Sequence, residues 1–447
     1  MVDFNILDYG ARPDGTTNNA PAIQQAVDAA CDAGGGRVII PAGRFLSGSV
    51  LLKSNVELHL QSGAVLLSSL RPEDIQPFRS ADADNDMDGW GGGFFLGACG
   101  AHNVTISGNG TIDGQGDKVF FDKDEDNGFH ECPKVAAEFR PRMMLFENIT
   151  DFTVCDVTLM DAAFWTLHMA GCKRVRIRDI RILNDDRGAN NDGIDPDCCQ
   201  DVVISGCIIH TGDDAIVVKA TGPMTRRYGP SRNITITNCV LHSRDSALKI
   251  GTETWGDIRN ITFGDCVVDD CSRAVGIWVR DGGTVENIRI HHLVGAVRRY
   301  ADRYTVPGAP GWWGKGEPVF VSATRRAGRD NFPGVIRNVS VDHLTLTAES
   351  CVFLAGEADC PLENISLEDL DLTMRHQGTQ PGGLFDEQPS ARHVYPHEIP
   401  ALYARSVHGL QVRNCRVRAR GDSDWSGRVT CLEDCLDAQV EMEEKTI

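Results

Sequence analysis

The 447-residue sequence predicts an all-β chain, a single-stranded right-handed parallel β-helix with a short N-terminal capping helix. Three observations predict it. An apolar–x–apolar triplet, two polar residues and then a Cys, Leu, Ile or Val recur along the chain. The triplets start at Val175, Val202, Ile234, Ile261, Ile288, Val339, Ile365 and Leu410, stepping by 27, 32, 27 and 27 residues, then by 51, 26 and 45. An asparagine precedes most of the later triplets, at Asn233, Asn260, Asn287, Asn338 and Asn364. The residues that close the units form a third series: Cys207, Cys239, Cys266, Leu293, Leu344, Leu370 and Cys415.

A unit of about 27 residues with strand periodicity cannot bury its apolar side alone, so it stacks on its neighbours. It is too short for a βαβ crossover, which needs ~30 residues or more. With coils about 4.8 Å apart, equal phases become ladders. The Cys/Leu series then lies inside. The Asn series forms a turn column, because Asn tolerates left-handed backbone and bonds adjacent backbone groups. Length alone, at ~150 residues per domain, suggests about three domains, but the repeat makes 1–447 one. The two long steps, 51 and 45, mark either a hidden coil or an inserted loop.

The other elements follow in chain order. Pro21 to Ala33 reads as an amphipathic helix with Ile23, Ala26, Val27 and Ala30 on one face and Gly34, Gly35 and Gly36 stopping it. Residues of about 1–45 make the N-terminal cap that an open solenoid end requires. Stretches of about 71–95, acidic and glycine-rich, and about 294–334 read as loops beside the barrel, suited to walling a cleft.

Composition narrows the function. The 63 acidic and 44 basic side chains leave a charge of −19, which argues against nucleic acid or an anionic membrane as partner. No run approaches the ~18 apolar residues of a membrane span. The opening Met1 to Ile6 lacks a basic-then-apolar leader, so the sequence reads as cytoplasmic; a chain whose leader had been removed would read as secreted. The 16 cysteines include no CxxC pair and are expected as reduced, buried thiols. Asn103, Asn148, Asn233, Asn260, Asn338 and Asn364 match N-x-S/T, but most follow from the repeat's own Asn-Ile-Thr grammar rather than from glycosylation. The 13 histidines show no HExxH spacing, and His291 and His292 read as repeat-turn residues.

Three units bend into a further strand with an acid or its equivalent at the mouth. In phase these are Asp192, Asp214 and Ser246, with Asp213 beside Asp214, and the next unit puts Arg273 at the same phase. With Ile194, Ile216 and Leu248 inward, alternation turns Asp195, Asp197, Lys219, Lys249, Trp278 and Arg280 outward. Asp197 and Lys219 alternatively form a cross-coil surface ion pair. Carboxylates within two coils repel, so in a cleft at least one should hold its proton more tightly. A protonated carboxyl beside an ionised one is the equipment of glycoside hydrolysis, in which the acid protonates the leaving oxygen and the base activates water.

Asn190-Asn191-Asp192-Gly193-Ile194-Asp195, followed by Gly212-Asp213-Asp214, resembles the signature of glycoside hydrolase family 28, the polygalacturonases. The stretches Phe4 to Gly10, Asp14-Gly15 and Gly110 to Gly116 are similar to the family too, so the resemblance covers nearly the whole chain. It implies a right-handed parallel β-helix and inverting hydrolysis of α-linked uronate glycans with no metal and no cofactor. It also implies Asp213 as general acid, with Asp192 and Asp214 orienting and deprotonating water. Two motifs depart. The family's Gly-His-Gly is here Asp245-Ser246-Ala247, and its Arg-Ile-Lys is Trp278-Val279-Arg280. Both family motifs hold the sugar at the scissile bond, so the departures bear on the substrate rather than on the hydrolytic centre.

Candidate substrate contacts are Asn190, Lys219, Ser246, Lys249, Arg273, Trp278 and Arg280, with the arginines matched to a sugar carboxylate. Trp312 and Trp313 offer flat faces for sugar stacking or, equally, pack a long loop; Arg140 and Arg142 are placed to reach the same cleft. The expected partner is a short acidic, uronate- or rhamnose-containing pectic-type oligosaccharide. Two other readings stay open: a β-helix polysaccharide lyase or epimerase using calcium or a base such as Lys219 or Lys249, and a non-catalytic glycan-binding β-helix.

Overall fold

Alternating triplets with one inward side chain in two leave a coil that closes only by stacking, and a computed structural model shows that stacking directly. It describes residues 2–78, 92–120, 134, 136–300 and 313–445. The chain divides into two compact units, the first drawn from Met1–Asp126 and Lys134–Asp213, the second with its described residues from Asp214 onward. Both are built from parallel strands in the right-handed parallel β-helix arrangement.

In the first unit, helix Ala20–Asp32 buries Ala22, Ile23, Ala26, Val27 and Ala30, the face read from the sequence, with Pro21 in its first turn. Coils then follow with three strands each. Lys173–Arg178 and Arg181–Leu183 lead to Ile194–Asp197, and Gln200–Ser205 returns onto Lys173–Arg178 with Val202 opposite Val175 and Ile204 opposite Ile177. The separation of 27 residues is thus one turn of the coil. Strand Ile194–Asp197 lies on Leu167–Ala170, which lies on Arg142–Glu147.

In the second unit, strands Ile258–Cys271, Thr284–Val297, Val335–Ala348, Leu362–Met374 and Val407–Ala419 pair successively in parallel. The direct pairing of Thr284–Val297 with Val335–Ala348, and of Leu362–Met374 with Val407–Ala419, resolves the two long steps: both are insertions, and neither hides a coil. The interior ladder runs Cys266, Leu293, Leu344 and Leu370 in register, all buried. The asparagine column is also present. Asn233, Asn260, Asn287, Asn338 and Asn364 all have φ between 53° and 58°. Each side-chain amide from Asn260 to Asn364 donates to the preceding Asn Oδ1 at 3.0–3.2 Å. Burial also raises the proton affinity of thiols, pushing Cys155 up to about 11. Cys172, Cys271 and Cys351 are likewise buried thiols without a disulfide.

The loop boundaries need correction. Phe94–Cys99 is already a strand, so the first loop ends before 94, and residues 79–91 lie outside the described residues. The second stretch is not a free loop. Strand Thr284–Val297 extends into it, Phe320–Ala323 is a further strand of the stack, and Trp313, Lys315 and Glu317 are buried. The insertion at 375–401 carries an antiparallel hairpin, Leu384–Asp386 with Val394–Pro396.

Candidate active site

In the first unit the Asn190-Asn191-Asp192 turn leads into strand Ile194–Asp197. Asn191 is fully buried and acts as a clamp. Its Oδ1 accepts from Gly212 N at 2.8 Å and Asp213 N at 3.2 Å, while its Nδ2 donates to Asp185 O at 2.8 Å. Asn184 Nδ2 donates to Asn191 O at 2.8 Å, so the clamp is itself held. Gly212 has to be glycine: a Cβ there would stand 2.5 Å from Gly188 O and 2.7 Å from Gly188 N. Asn190 N donates to Asp213 Oδ2 at 3.2 Å. An oxygen of Asp192 and one of Asp213 lie within 4.8 Å of each other, and both side chains are buried.

Arg140 completes this group. Its guanidinium donates to Asn190 Oδ1 at 3.0 Å and to Ala189 O at 2.5 Å. Burial pulls its proton affinity down to about 10, against the opposing pull of Asp192 and Asp213. Arg140 thus contacts the turn that carries Asn190 and Asp192. Two carboxyls this close and this dry repel each other when both are ionised.

Asp214, the next residue, opens strand Ile216–Ala220 of the second unit. The register Ile216 to Leu248 to Val275, with Ser246 opposite Arg273, places Asp214, Ser246 and Arg273 in one column, as the spacing predicts. Ser246 N donates to Asp214 Oδ1 at 3.3 Å, and Lys249 Nζ donates to Asp214 Oδ2 at 2.8 Å and to Asp245 Oδ2 at 3.2 Å. Asp245 in turn accepts from Arg273 Nη1 at 3.0 Å and from Ser246 Oγ at 3.2 Å. Burial works against the Arg273 charge, but Glu317, Asp245, Asp386 and Asp214 together outweigh it and hold its proton affinity above the ordinary value. Asp386 lies 4.0 Å from the Arg273 guanidinium and 3.4 Å from Lys315 Nζ. The indole of Trp278 packs with Lys249 Nζ 5.4 Å and Arg273 Cζ 5.0 Å from its centroid, and against Phe320 at 4.8 Å.

The structure thus joins Asn190, Asp192 and Asp213 in one group and Asp214, Ser246, Lys249, Arg273 and Trp278 in another. Other candidates go elsewhere. Lys219 pairs with Glu253 at 3.4 Å. Arg280 donates to Thr324 O at 2.9 Å and Thr324 Oγ1 at 2.7 Å; burial, reinforced by Arg326, lowers its proton affinity to about 9. Trp313 packs edge-on to Tyr300 at 5.9 Å. Trp312 lies outside the described residues.

The outward reading is corrected on exposure. Lys249 keeps 14% of its side chain exposed, whereas Arg273 and Arg280 are 0% exposed, Trp313 1% and Trp278 2%. Asp195, Asp197 and Lys219 are buried too, so the reading of Asp197 and Lys219 as a surface ion pair does not hold. For Arg273 the covering groups come from the insertions, which lay Glu317 and Asp386 against its guanidinium. Sequence reasoning missed Asn191, Glu317 and Asp386 and treated Asp245 only as a lost histidine motif. The spacing of four between Asp245, just before strand Ser246–Thr254, and Lys249 within it was the available signal.

Comparison with known proteins adds a relationship to this geometry. The sequence profile described as glycosyl hydrolases family 28 matches residues 37–294, and one described as rhamnogalacturonase A/epimerase, pectate lyase-like, matches residues 4–63. A probable polygalacturonase of Vitis vinifera is 32% identical over 223 residues, covering 48% of this chain and 44% of that protein. The exo-poly-alpha-D-galacturonosidase of Dickeya chrysanthemi is 29% identical over 296 residues, 56% of this chain and 48% of that one. The chain spans about half the length of the curated relatives it matches. Among solved structures, a hyperthermoactive exopolygalacturonase from Thermotoga maritima superposes with a TM-score of 0.65 at 25% identity, covering 83% of this chain and 87% of that one.

Proposed function

The chain belongs to glycosyl hydrolases family 28, and on that premise we propose that it hydrolyses α-glycosidic bonds in pectic-type, uronate-containing oligosaccharides. One observation carries the proposal. Asp192 and Asp213 hold carboxylate oxygens within 4.8 Å of each other in a buried turn, and the next residue, Asp214, is gripped by Lys249 at 2.8 Å. All three lie inside the stretch that matches the family.

The chemistry divides between them. Asp213, pressed by Asp192, retains a proton and delivers it to the glycosidic oxygen as the C1–O bond breaks. Water attacks C1 from the opposite face, and its proton passes to Asp192 or Asp214, which orient it. The Lys249 ammonium keeps Asp214 ionised and ready to accept. The product is a new reducing end of inverted anomeric configuration. The polygalacturonase and galacturonosidase names of the relatives support galacturonate as the first sugar to try. Because Trp278 and Arg280 stand where the family has its Arg-Ile-Lys motif and both are buried, recognition of the sugar carboxylate falls to other groups; Lys249 and Asn190 are the part-exposed candidates.

The test is a screen of defined galacturonate and rhamnose-containing oligosaccharides with proton NMR of the first product. Release of the inverted anomer supports the proposal. Retention would refute the division of roles, and an unsaturated product would indicate elimination instead.

A further inference from the structure

We propose that Asp265, His291 and His292 form a surface site for a borderline divalent transition-metal ion, zinc above all, tying two successive coils of the second unit together. Strands Ile258–Cys271 and Thr284–Val297 pair in parallel with Gly264 opposite His291 and Cys266 opposite Leu293, so Asp265 and His292 occupy the same turn of adjacent coils. One donor atom from each of the three residues lies within 4.8 Å of the other two.

The two imidazoles already face each other, Nδ1 to Nδ1, at 3.0 Å. Two histidine ligands bonded to tetrahedral zinc at ~2.0–2.1 Å stand about 3.3 Å apart, so little adjustment separates the present contact from a chelating pair. Asp265 is exposed, and a carboxylate oxygen of it already lies within 4.8 Å of a nitrogen of each histidine. The coil beneath makes room for this arrangement. A Cβ at Gly264 would stand 2.2–2.5 Å from the His291 ring, so glycine there lets the imidazole lie across the neighbouring backbone.

The next histidine of the column is a useful contrast. His343 has Nδ1 on Asp342 at 2.8 Å and Nε2 3.4 Å from Asp369, so carboxylates engage both its nitrogens. It stacks on His292 with centroids 4.7 Å apart and buttresses that ring. Two imidazoles with one carboxylate suit zinc, nickel or copper, whereas calcium and magnesium prefer all-oxygen sets. Water would fill the remaining positions. An ion bridging two coils stabilises the folded chain by mass action, and this site does not depend on the proposed hydrolysis.

The experiment is calorimetric titration of the metal-stripped full chain with zinc chloride alone, with a parallel thermal melt. The expected result is saturable binding of one ion per chain and a melting temperature that rises with zinc. His292→Ala and Asp265→Asn should each weaken binding by roughly tenfold or more, and His102→Ala, which removes an exposed imidazole of the first unit, should leave it unchanged. No saturable binding, or equal binding in His292→Ala, Asp265→Asn and the parent chain, overturns the proposal.

Discussion

Lys249 ties together two buried acids. Besides being a candidate sugar contact, it spans Asp214 at 2.8 Å and Asp245 at 3.2 Å with its ammonium. A cation there favours the ionised carboxylate, so removing it makes Asp214 harder to ionise. Lys249→Met should move the acid limb of the kcat/KM profile to higher pH, with roughly tenfold lower activity on that side; Lys249→Arg should restore part of it. An unmoved limb would show that Lys249 does not tune the ionisation of Asp214.

A second residue tests electrostatics away from this centre. Asp161 is half-buried, and burial, followed by Asp117, Asp113 and Asp185, pushes its proton affinity up to about 6. The folded state therefore holds this proton more tightly than the unfolded state does. Stability is lost as pH rises from the ordinary carboxyl value near 3.8 through about 6. Asp161→Asn should add about 1 kcal/mol near pH 7, discounted for partial solvent exposure, and nothing below about pH 4. Asn also suits the left-handed backbone at this site, φ 50°. Urea midpoints at the two pH values check it.

At the scale of elements, the asparagine column was legible because one local requirement repeats. Each coil needs a left-handed turn residue, and Asn also carries a donor and an acceptor to link with its neighbours. Asn287 sits in mid-column, donating to Asn260 and accepting from Asn338, both at 3.2 Å. Asn287→Ala should cost about 2–3 kcal/mol, combining backbone strain with two lost amide links. Asn287→Gly should recover the strain part, as urea denaturation would show. Whether a step of 51 or 45 residues held a coil or an insertion was not legible. The choice depends on which strands pair across the gap, and both sides of each gap carry the same triplet.

For the whole molecule, the β-helix and the column of Asp214, Ser246 and Arg273 followed from phase, since these three residues fall at equal positions of successive coils. The burial of Arg273, Arg280 and Trp278 did not follow. Alternation tells which side chains leave the coil interior, but the partners that cover these cations, Glu317 and Asp386 among them, come from insertions with no period of their own. That is why the fold is easier to read than the burial of its side chains. The central claim is that Asp213 supplies the proton that frees the leaving oxygen. The most direct measurement is kcat of Asp213→Asn against the parent chain on an oligosaccharide the parent cleaves, with folding verified by circular dichroism. The account predicts a loss of roughly a hundredfold to ten-thousandfold; a folded variant that turns over at the parent rate would contradict it.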